Sequence, residues 1–107
     1  MKSVQHPHTS EFDLAKVLHA CGNPARLSLL GEINRRPGQP CGELASGVSK
    51  SSLSEHLRVL RRAGLIRQEP GPRNSKLNWP RTEELDSNFP GLIPAIIGAA
   101  SHSQPRH

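Results

Sequence analysis

Hydrogen-bonding side chains recur on one face of a helix that the sequence predicts between Ser49 and Gly64. At about 100° per residue, helical spacing brings together Ser51, Ser54, Glu55, Arg58 and Arg62. A serine hydroxyl can bond to any base, arginine prefers the O6/N7 pair of guanine, and glutamate accepts from cytosine N4 or pairs with a nearby arginine. This set of residue types suits the reading of base edges in a DNA groove. An ordinary solvated helix face is the alternative interpretation.

The ends and the buried side of this helix are specified by nearby residues. Ser49 can accept a hydrogen bond from a backbone N–H one turn later, and Gly64 suits the left-handed residue that ends a helix. The stripe that packs on a core consists of Leu53, Leu57 and Leu60. Because a recognition helix reads bases from its N-terminal half, Lys50 and Ser52 join the expected DNA contacts.

Three further helices are predicted before this one. The first spans 12–21, and the second begins with Asn23 as N-cap and Pro24 at the first helical position. Residues 36–40 form a loop that ends the second helix. A short helix over about 41–47, followed by a turn and the longer polar-faced helix, predicts a helix-turn-helix.

A β-hairpin is predicted directly after the recognition helix. Residues 65–69 and 75–79 have the pattern of short strands, and the proline- and glycine-rich residues between them are typical of a turn. The predicted fold is therefore mainly α with a small β-hairpin, a winged helix-turn-helix. Arg67, Arg73 and Lys76 on this wing are expected to contact phosphates, which positions a domain without reading sequence.

The positive charge of the chain is confined to one region. The net charge is +5, yet residues 50–81 alone carry eight basic and two acidic side chains, so the remainder is slightly acidic. A localised basic region indicates a polyanionic partner. The sequence contains no long apolar segment, signal-peptide pattern or lipidation motif, which favours double-stranded DNA over a membrane and a cytoplasmic location.

Composition predicts one small domain that pairs with a second copy. Polar residues 1–10 and 101–107 are expected to be flexible tails around a domain spanning 11–100. With 3% aromatic residues the core is small and aliphatic, so further burial in a homodimer is expected. The last helix has an apolar stripe and no charge over 91–100, which favours a dimer through the first and last helices. The alternative is that this helix folds back on its own core.

Three local strings resemble the ArsR-type (ArsR/SmtB) winged helix repressors. They are Cys-Gly-Asn-Pro-Ala-Arg-Leu at 21–27, Glu-Leu-Ala at 43–45 followed by Ser-Lys-Ser-Ser-Leu-Ser-Glu-His-Leu at 49–57, and Leu-Arg-Arg-Ala-Gly-Leu-Ile at 60–66. The resemblance covers about residues 12–100. It implies a homodimeric bacterial repressor that binds an imperfect palindrome and leaves it when an effector binds.

The resemblance also bears on individual residues of the recognition helix. By position it carries DNA contact over to Ser51, Ser54 and Glu55. His56 stands in the family's serine-x-histidine-leucine pattern, and because it flanks the leucine stripe we expect it to pack or to bond to backbone. An effector-independent DNA-binding regulator is the alternative within this class.

Many relatives sense metals or thiol-reactive species, but their metal motifs are incomplete in this chain. Cys41 stands where relatives have a residue between two cysteines, and the last helix has no acid or histidine ligand over 91–100. A nickel or zinc site is still predicted from the scattered histidines His6, His8, His19 and His102. Alternatively Cys21 and Cys41 form a redox switch, for which the start of a helix at Cys41 would lower the thiol pKa. The simpler interpretations are exposed histidines and small core cysteines.

A protein-interaction module and an enzyme are the two other classes of function to compare with DNA binding. A winged-helix protein-interaction module would use the same basic face to bind an acidic partner. An enzyme is not expected, because the sequence contains no paired catalytic carboxylates, nucleophile motif or phosphate-binding loop.

Overall fold

The structure is a computed structural model that describes residues 5–44 and 48–103. The regular elements of these residues are α1 (Leu14–Cys21), α2 (Pro24–Arg35), β1 (Gln39–Pro40), α3 (Lys50–Arg62), β2 (Ile66–Pro70), β3 (Lys76–Pro80), α4 (Thr82–Asn88) and α5 (Leu92–Ser103). Single turns of 3-10 helix occur at Thr9–Glu11 and Cys41–Glu43, and Pro72–Asn74 forms the turn between β2 and β3. The architecture is a winged helix-turn-helix, as predicted.

Side-chain caps define where the first three long helices begin. The Asp13 carboxylate accepts from the backbone N–H of Ala15 at 2.9 Å, so α1 starts two residues later than predicted. The Asn23 side chain caps α2 through the backbone N–H groups of Ala25 and Arg26. These bonds satisfy N–H groups that have no partner inside the helix, which is why short polar residues at these positions start helices.

The wing is the larger part of a three-stranded antiparallel sheet in the order β1-β3-β2. Within it, Arg67 lies opposite Trp79 and Gln68 opposite Asn78. Strand β1, which lies in the predicted loop 36–40, pairs with β3 and places Gln39 opposite Asn78. The Asn78 side chain also donates to the Gln39 carbonyl at 3.0 Å. A two-residue strand has no period of its own, so only this pairing reveals it.

The short helix predicted over 41–47 is wrong at its start. Residues Cys41–Glu43 form one 3-10 turn, and Leu44 follows in an extended conformation. The rest of that prediction, 45–47, lies outside the described residues.

The core is aliphatic and draws on every long helix and on the wing. Its fully buried large side chains include Val17, Leu29, Leu30, Ile33, Leu57, Leu60, Leu65, Ile66 and Leu85. Helix α5 packs on α2 and α4, and Ile93 is only 2% exposed. The apolar stripe of α5 therefore folds back on its own core in part, which was the alternative to a dimer seam. In the described ranges, no helix is long and apolar enough to cross a bilayer.

Gly64 connects α3 to the wing in a left-handed conformation, with φ +88°. This confirms the predicted helix end. A Cβ atom at this position would overlap the Phe12 ring, with Cδ1 at 2.8 Å. Glycine is required here for two reasons, because both the backbone conformation and the close approach exclude a side chain.

Candidate nucleic-acid interface

Helix α3 presents the predicted face to solvent. The exposed residues of this helix are Lys50, Ser51, Ser52, Ser54, Glu55, Arg58 and Arg62. The three leucines of the opposite stripe are buried, none of them more than 9% exposed. The packing of these leucines fixes which side of α3 faces outward, since burying an apolar side chain is favourable wherever a core accepts it. We refer to Ser51, Ser54, Glu55, Arg58 and Arg62 as the reading face.

Serine hydroxyls form a small cluster at the N-terminus of α3. The Ser49 Oγ caps the helix by accepting from the Ser52 backbone N–H at 3.3 Å, and it donates to the Ser52 Oγ at 3.0 Å. The Ser51 Oγ lies 3.4 Å from the same Ser49 oxygen. The predicted cap is confirmed, and Ser52 contributes to the capping cluster as well as facing solvent.

Glu55 and Arg58 form an ion pair along the reading face. The Glu55 Oε1 and Arg58 Nη1 atoms are 3.4 Å apart, and the side chains are 62% and 49% exposed. This is one of the two roles that the sequence left open for Glu55. An exposed pair of this kind contributes less than about 1 kcal/mol, so it does not prevent either side chain from turning toward a ligand.

The wing carries three exposed cations in different surroundings. Arg67 pairs with Glu69 of the same strand at 2.8 Å. Lys76 and Arg73 form no ion pair within the described part of the chain. Arg73 stands at the tip, where φ 57° and ψ 39° place its backbone in the left-handed region. Asn74 has a similar conformation, with φ 61°.

Two arginines counted in the basic region are not part of this surface. Arg81 is 7% exposed, makes a two-pronged ion pair with Glu84 at 2.9 Å, and lies 4.8 Å from the centre of the Phe12 ring. Hydrogen bonding from Arg81 holds the pKa of Glu84 below its usual value, although partial burial opposes this. Arg61 is half-buried and donates to the Gln5 carbonyl at 2.6 Å. The exposed charge of residues 50–81 is therefore smaller than the sequence count.

The segment before α1 lies against the wing and the end of α3. The His6 Nε2 accepts from the Gln68 backbone N–H at 3.0 Å, and Arg81 donates to the Pro7 carbonyl at 2.8 Å. The pKa of His6 is lowered first by burial and then by Arg61, Arg81 and Arg67, with Glu69 acting in the opposite direction. These bonds involve residues that were expected to be a tail. The division into 1–10, 11–100 and 101–107 stays a prediction.

The four histidines predicted as metal ligands do not come together in a single copy of the chain. His8, His19 and His102 are exposed, while the Nε2 of His6 is occupied by the bond to Gln68. The His102 ring is bonded through Nδ1 to the Gly98 carbonyl at 2.8 Å. Among the described residues, no group of three or more His, Cys, Asp or Glu side chains could hold a metal ion.

The two cysteines have different surroundings. Cys21 is buried, and burial raises the pKa of its thiol, with nearby Arg26 acting in the opposite direction. Cys41 is half-buried, and its sulfur accepts from the Asn78 side-chain amide at 3.4 Å and from the Gln68 amide at 3.8 Å. Because Cys41 opens only a 3-10 turn, the helix-dipole argument for this thiol does not apply.

One contact beside the reading face was not predicted from the sequence. His56 is half-buried as expected, but its Nδ1 lies 3.3 Å from the Arg26 Nη1 rather than against backbone. The one signal available in the sequence was the position of Arg26. It places a cation in the first turn of a helix, where the helix dipole disfavours positive charge.

A family model of a helix-turn-helix domain matches residues 22–69, which include α2, α3 and all but the last residue of the first wing strand. No curated protein matches the chain. The matched residues contain the reading face and Arg67, while the rest of the wing lies beyond them. The match and the fold together indicate a helix-turn-helix regulator that binds double-stranded DNA and acts in transcription.

Proposed function

We propose that this chain is a homodimeric, cytoplasmic transcriptional repressor of the ArsR type, which binds a palindromic operator and leaves it when an effector binds. The observation that carries the proposal is the reading face on α3, flanked by the wing. In helix-turn-helix proteins the second helix lies in the major groove and its N-terminal residues contact base edges. Ser51, Ser54 and Glu55 occupy that half of α3, Arg58 follows Glu55 three residues later, and all four are exposed.

Phosphate contacts are assigned to the cations around the reading face. These are Lys50, Arg67, Arg73 and Lys76, with Ser52 near the start of the helix, and Arg62 at the C-terminal end of the reading face is assigned to phosphate as well. The conformation of Arg73 supports its role. A left-handed backbone disfavours an arginine by roughly 1–2 kcal/mol, and glycine or asparagine would hold the same turn more easily. An arginine at this position indicates that its charge is used, since strained residues cluster at functional sites.

The dimer is proposed to involve α1, with α5 beside it. Leu14 and Leu18 are 45% and 48% exposed, and they are the exposed large hydrophobic side chains of the described residues. They are four residues apart on one helix, so they form a single apolar patch. Packing of this patch against the same patch of a second copy would remove both leucine side chains from water.

The effector is proposed to act through the histidines or the cysteines. A nickel or zinc ion would take ligands from His6, His8, His19 and His102 across two chains, and binding would pull His6 from the wing. In the alternative, oxidation of Cys41 would disturb Asn78 and Gln68, which tie β3 to β2. Cys21 would follow only after local opening, because it is buried.

Binding to DNA from the region upstream of its own coding sequence, with a scrambled duplex as competitor, tests the proposal. We expect preference for the upstream DNA, and Ser54→Ala or Arg58→Ala should change the preferred site at a cost of about 1–3 kcal/mol per altered base contact. Arg35→Ala is the matched control, an exposed arginine on α2. Equal binding to both duplexes would refute the repressor and favour a protein-interaction module.

Two further measurements test the assembly and the effector. Sedimentation should show a dimer that Leu18→Glu converts to a monomer, while Ser87→Glu on the exposed side of α4 leaves it intact. A panel of metal ions and thiol oxidants should then be screened for release of DNA. Release by nickel or zinc that His8→Gln abolishes supports the histidine site, and release by oxidant that Cys41→Ser abolishes supports the thiol. No release by any of them would leave an effector-independent regulator.

A further inference from the structure

One guanidinium group joins three elements beside the reading face. The Arg26 Nε donates to the Ala20 carbonyl at 2.6 Å, and Nη2 donates to the His19 carbonyl at 3.4 Å. Its third edge, through Nη1, lies 3.3 Å from the Nδ1 of His56 on α3. Arg26 itself belongs to the first turn of α2. The end of α1, the start of α2 and the middle of α3 thus meet at one side chain.

The chemistry of this contact determines the tautomer of the His56 ring. A guanidinium has only N–H donors and stays protonated in proteins. The Nδ1 of His56 must therefore accept, which leaves the proton of the neutral ring on Nε2. Arg26 lies at the positive N-terminal end of α2, which is unfavourable for a cation. The carbonyls at the negative C-terminal end of α1 accept its hydrogen bonds and offset this effect.

This contact is directional, unlike the packing around it. The leucine stripe attaches α3 to the core through apolar burial, which depends on area and hardly on angle. A hydrogen bond prefers a near-linear donor angle and weakens steeply below about 120°. The leucine stripe sets which side of α3 faces outward, and the bond at His56 adds a finer restraint on the angle of α3 relative to α1. His56 lies within one turn of Ser54 and Glu55, so this angle sets where those side chains point.

We propose that Arg26 and His56 are positioning residues for sequence recognition, which hold α3 at a fixed angle to α1 and so to the second copy of the chain. The inference rests on the proposed function, because it concerns how the two reading faces match two half-sites. Such half-sites lie about 34–36 Å apart, and a rotated helix would miss base edges while its cations still reached phosphates. Loss of the contact should therefore lower sequence preference more than total DNA binding.

The test compares two substitutions of His56. His56→Leu keeps the size of the ring and removes the acceptor, whereas His56→Asn keeps an amide oxygen close to the position of Nδ1. Affinity is measured for the upstream duplex and for its scrambled version. For His56→Leu we expect the preference between them to fall about tenfold or more, with scrambled binding unchanged. His56→Asn should retain most of the preference.

Other outcomes show whether the positioning role or the proposed function is wrong. If His56→Leu weakens both duplexes equally, or leaves both unchanged, the positioning role is wrong while the repressor stands. If the unaltered protein itself shows no preference, the proposed function fails and the positioning role fails with it. Arg26→Gln should reproduce the loss of preference, and Arg35→Gln, an exposed arginine on the same helix, should not. Thermal unfolding of each variant separates loss of preference from loss of folded protein.

Discussion

Replacing Arg73 with glycine should stabilise the fold and weaken DNA binding at the same time. The residue has φ 57° and ψ 39° at the tip of the wing. The left-handed conformation disfavours a residue with a Cβ by roughly 1–2 kcal/mol, whereas glycine loses about 0.5–1 kcal/mol more backbone entropy on folding. The difference predicts a gain of roughly 0.5–1 kcal/mol in the free energy of unfolding. For a domain of this size that raises Tm by about 2–8 °C.

The effect on DNA binding should appear as a change in salt dependence. Each phosphate contact contributes about 0.9 to the slope of log affinity against log salt concentration. Losing one contact should lower the slope by that amount for each chain bound. Because a phosphate carries no sequence information, affinity for the upstream and scrambled duplexes should fall by the same factor. Fluorescence anisotropy titrations between 50 and 200 mM salt measure the salt slope, and urea unfolding measures the change in the free energy of unfolding.

Asn74→Gly is the matched control for this experiment. Asn74 has φ 61° in the same turn and carries no charge, so the variant should leave the salt slope unchanged. Asparagine tolerates the left-handed region better than arginine, so its gain in stability should also be smaller. If Arg73→Gly lowered stability, the strain argument would be wrong. If it altered the preferred sequence, Arg73 would be reading bases and the assignment of the wing would be wrong.

Further predictions concern the contacts that hold the wing to the domain. Gly64→Ala should lower the free energy of unfolding, measured in urea, by about 2–5 kcal/mol, because the new Cβ is strained in the left-handed conformation and also clashes with Phe12. Gly98→Ala is the control: nothing lies near an added Cβ on α5, so the free energy of unfolding should rise by up to about 1 kcal/mol. Because the pKa of His6 is lower in the folded chain, the His6 ring of the unfolded chain is protonated at a higher pH than that of the folded chain. The free energy of unfolding should therefore fall as the pH drops below 6.5 and level off below the folded pKa of His6. His6→Gln, which keeps an acceptor for the wing, should remove that part of the pH dependence in thermal unfolding, and His8→Gln should not.

The correctly predicted parts of the site depend on neighbours within a few residues. Asn23, Ser49 and Gly64 act as caps and stops as expected, because a cap bonds to backbone within one turn. The reading face follows from helical spacing alone. Strand β1 and the 3-10 turn at Cys41–Glu43 were not predicted, since each is too short to show a period and β1 is defined only by its partner β3.

The sequence itself determined the starts of α2 and α3, the outward face of α3 and the order of the winged helix-turn-helix, through periodicity and capping. The tertiary structure alone decided which charges are available. Arg81 is drawn inward by Glu84 and by the Pro7 carbonyl, 74 positions away, and Arg26 meets His56 across 30 positions. Periodicity acts within one helix, whereas a guanidinium is buried wherever the fold supplies acceptors for its donors, and those acceptors come from distant segments.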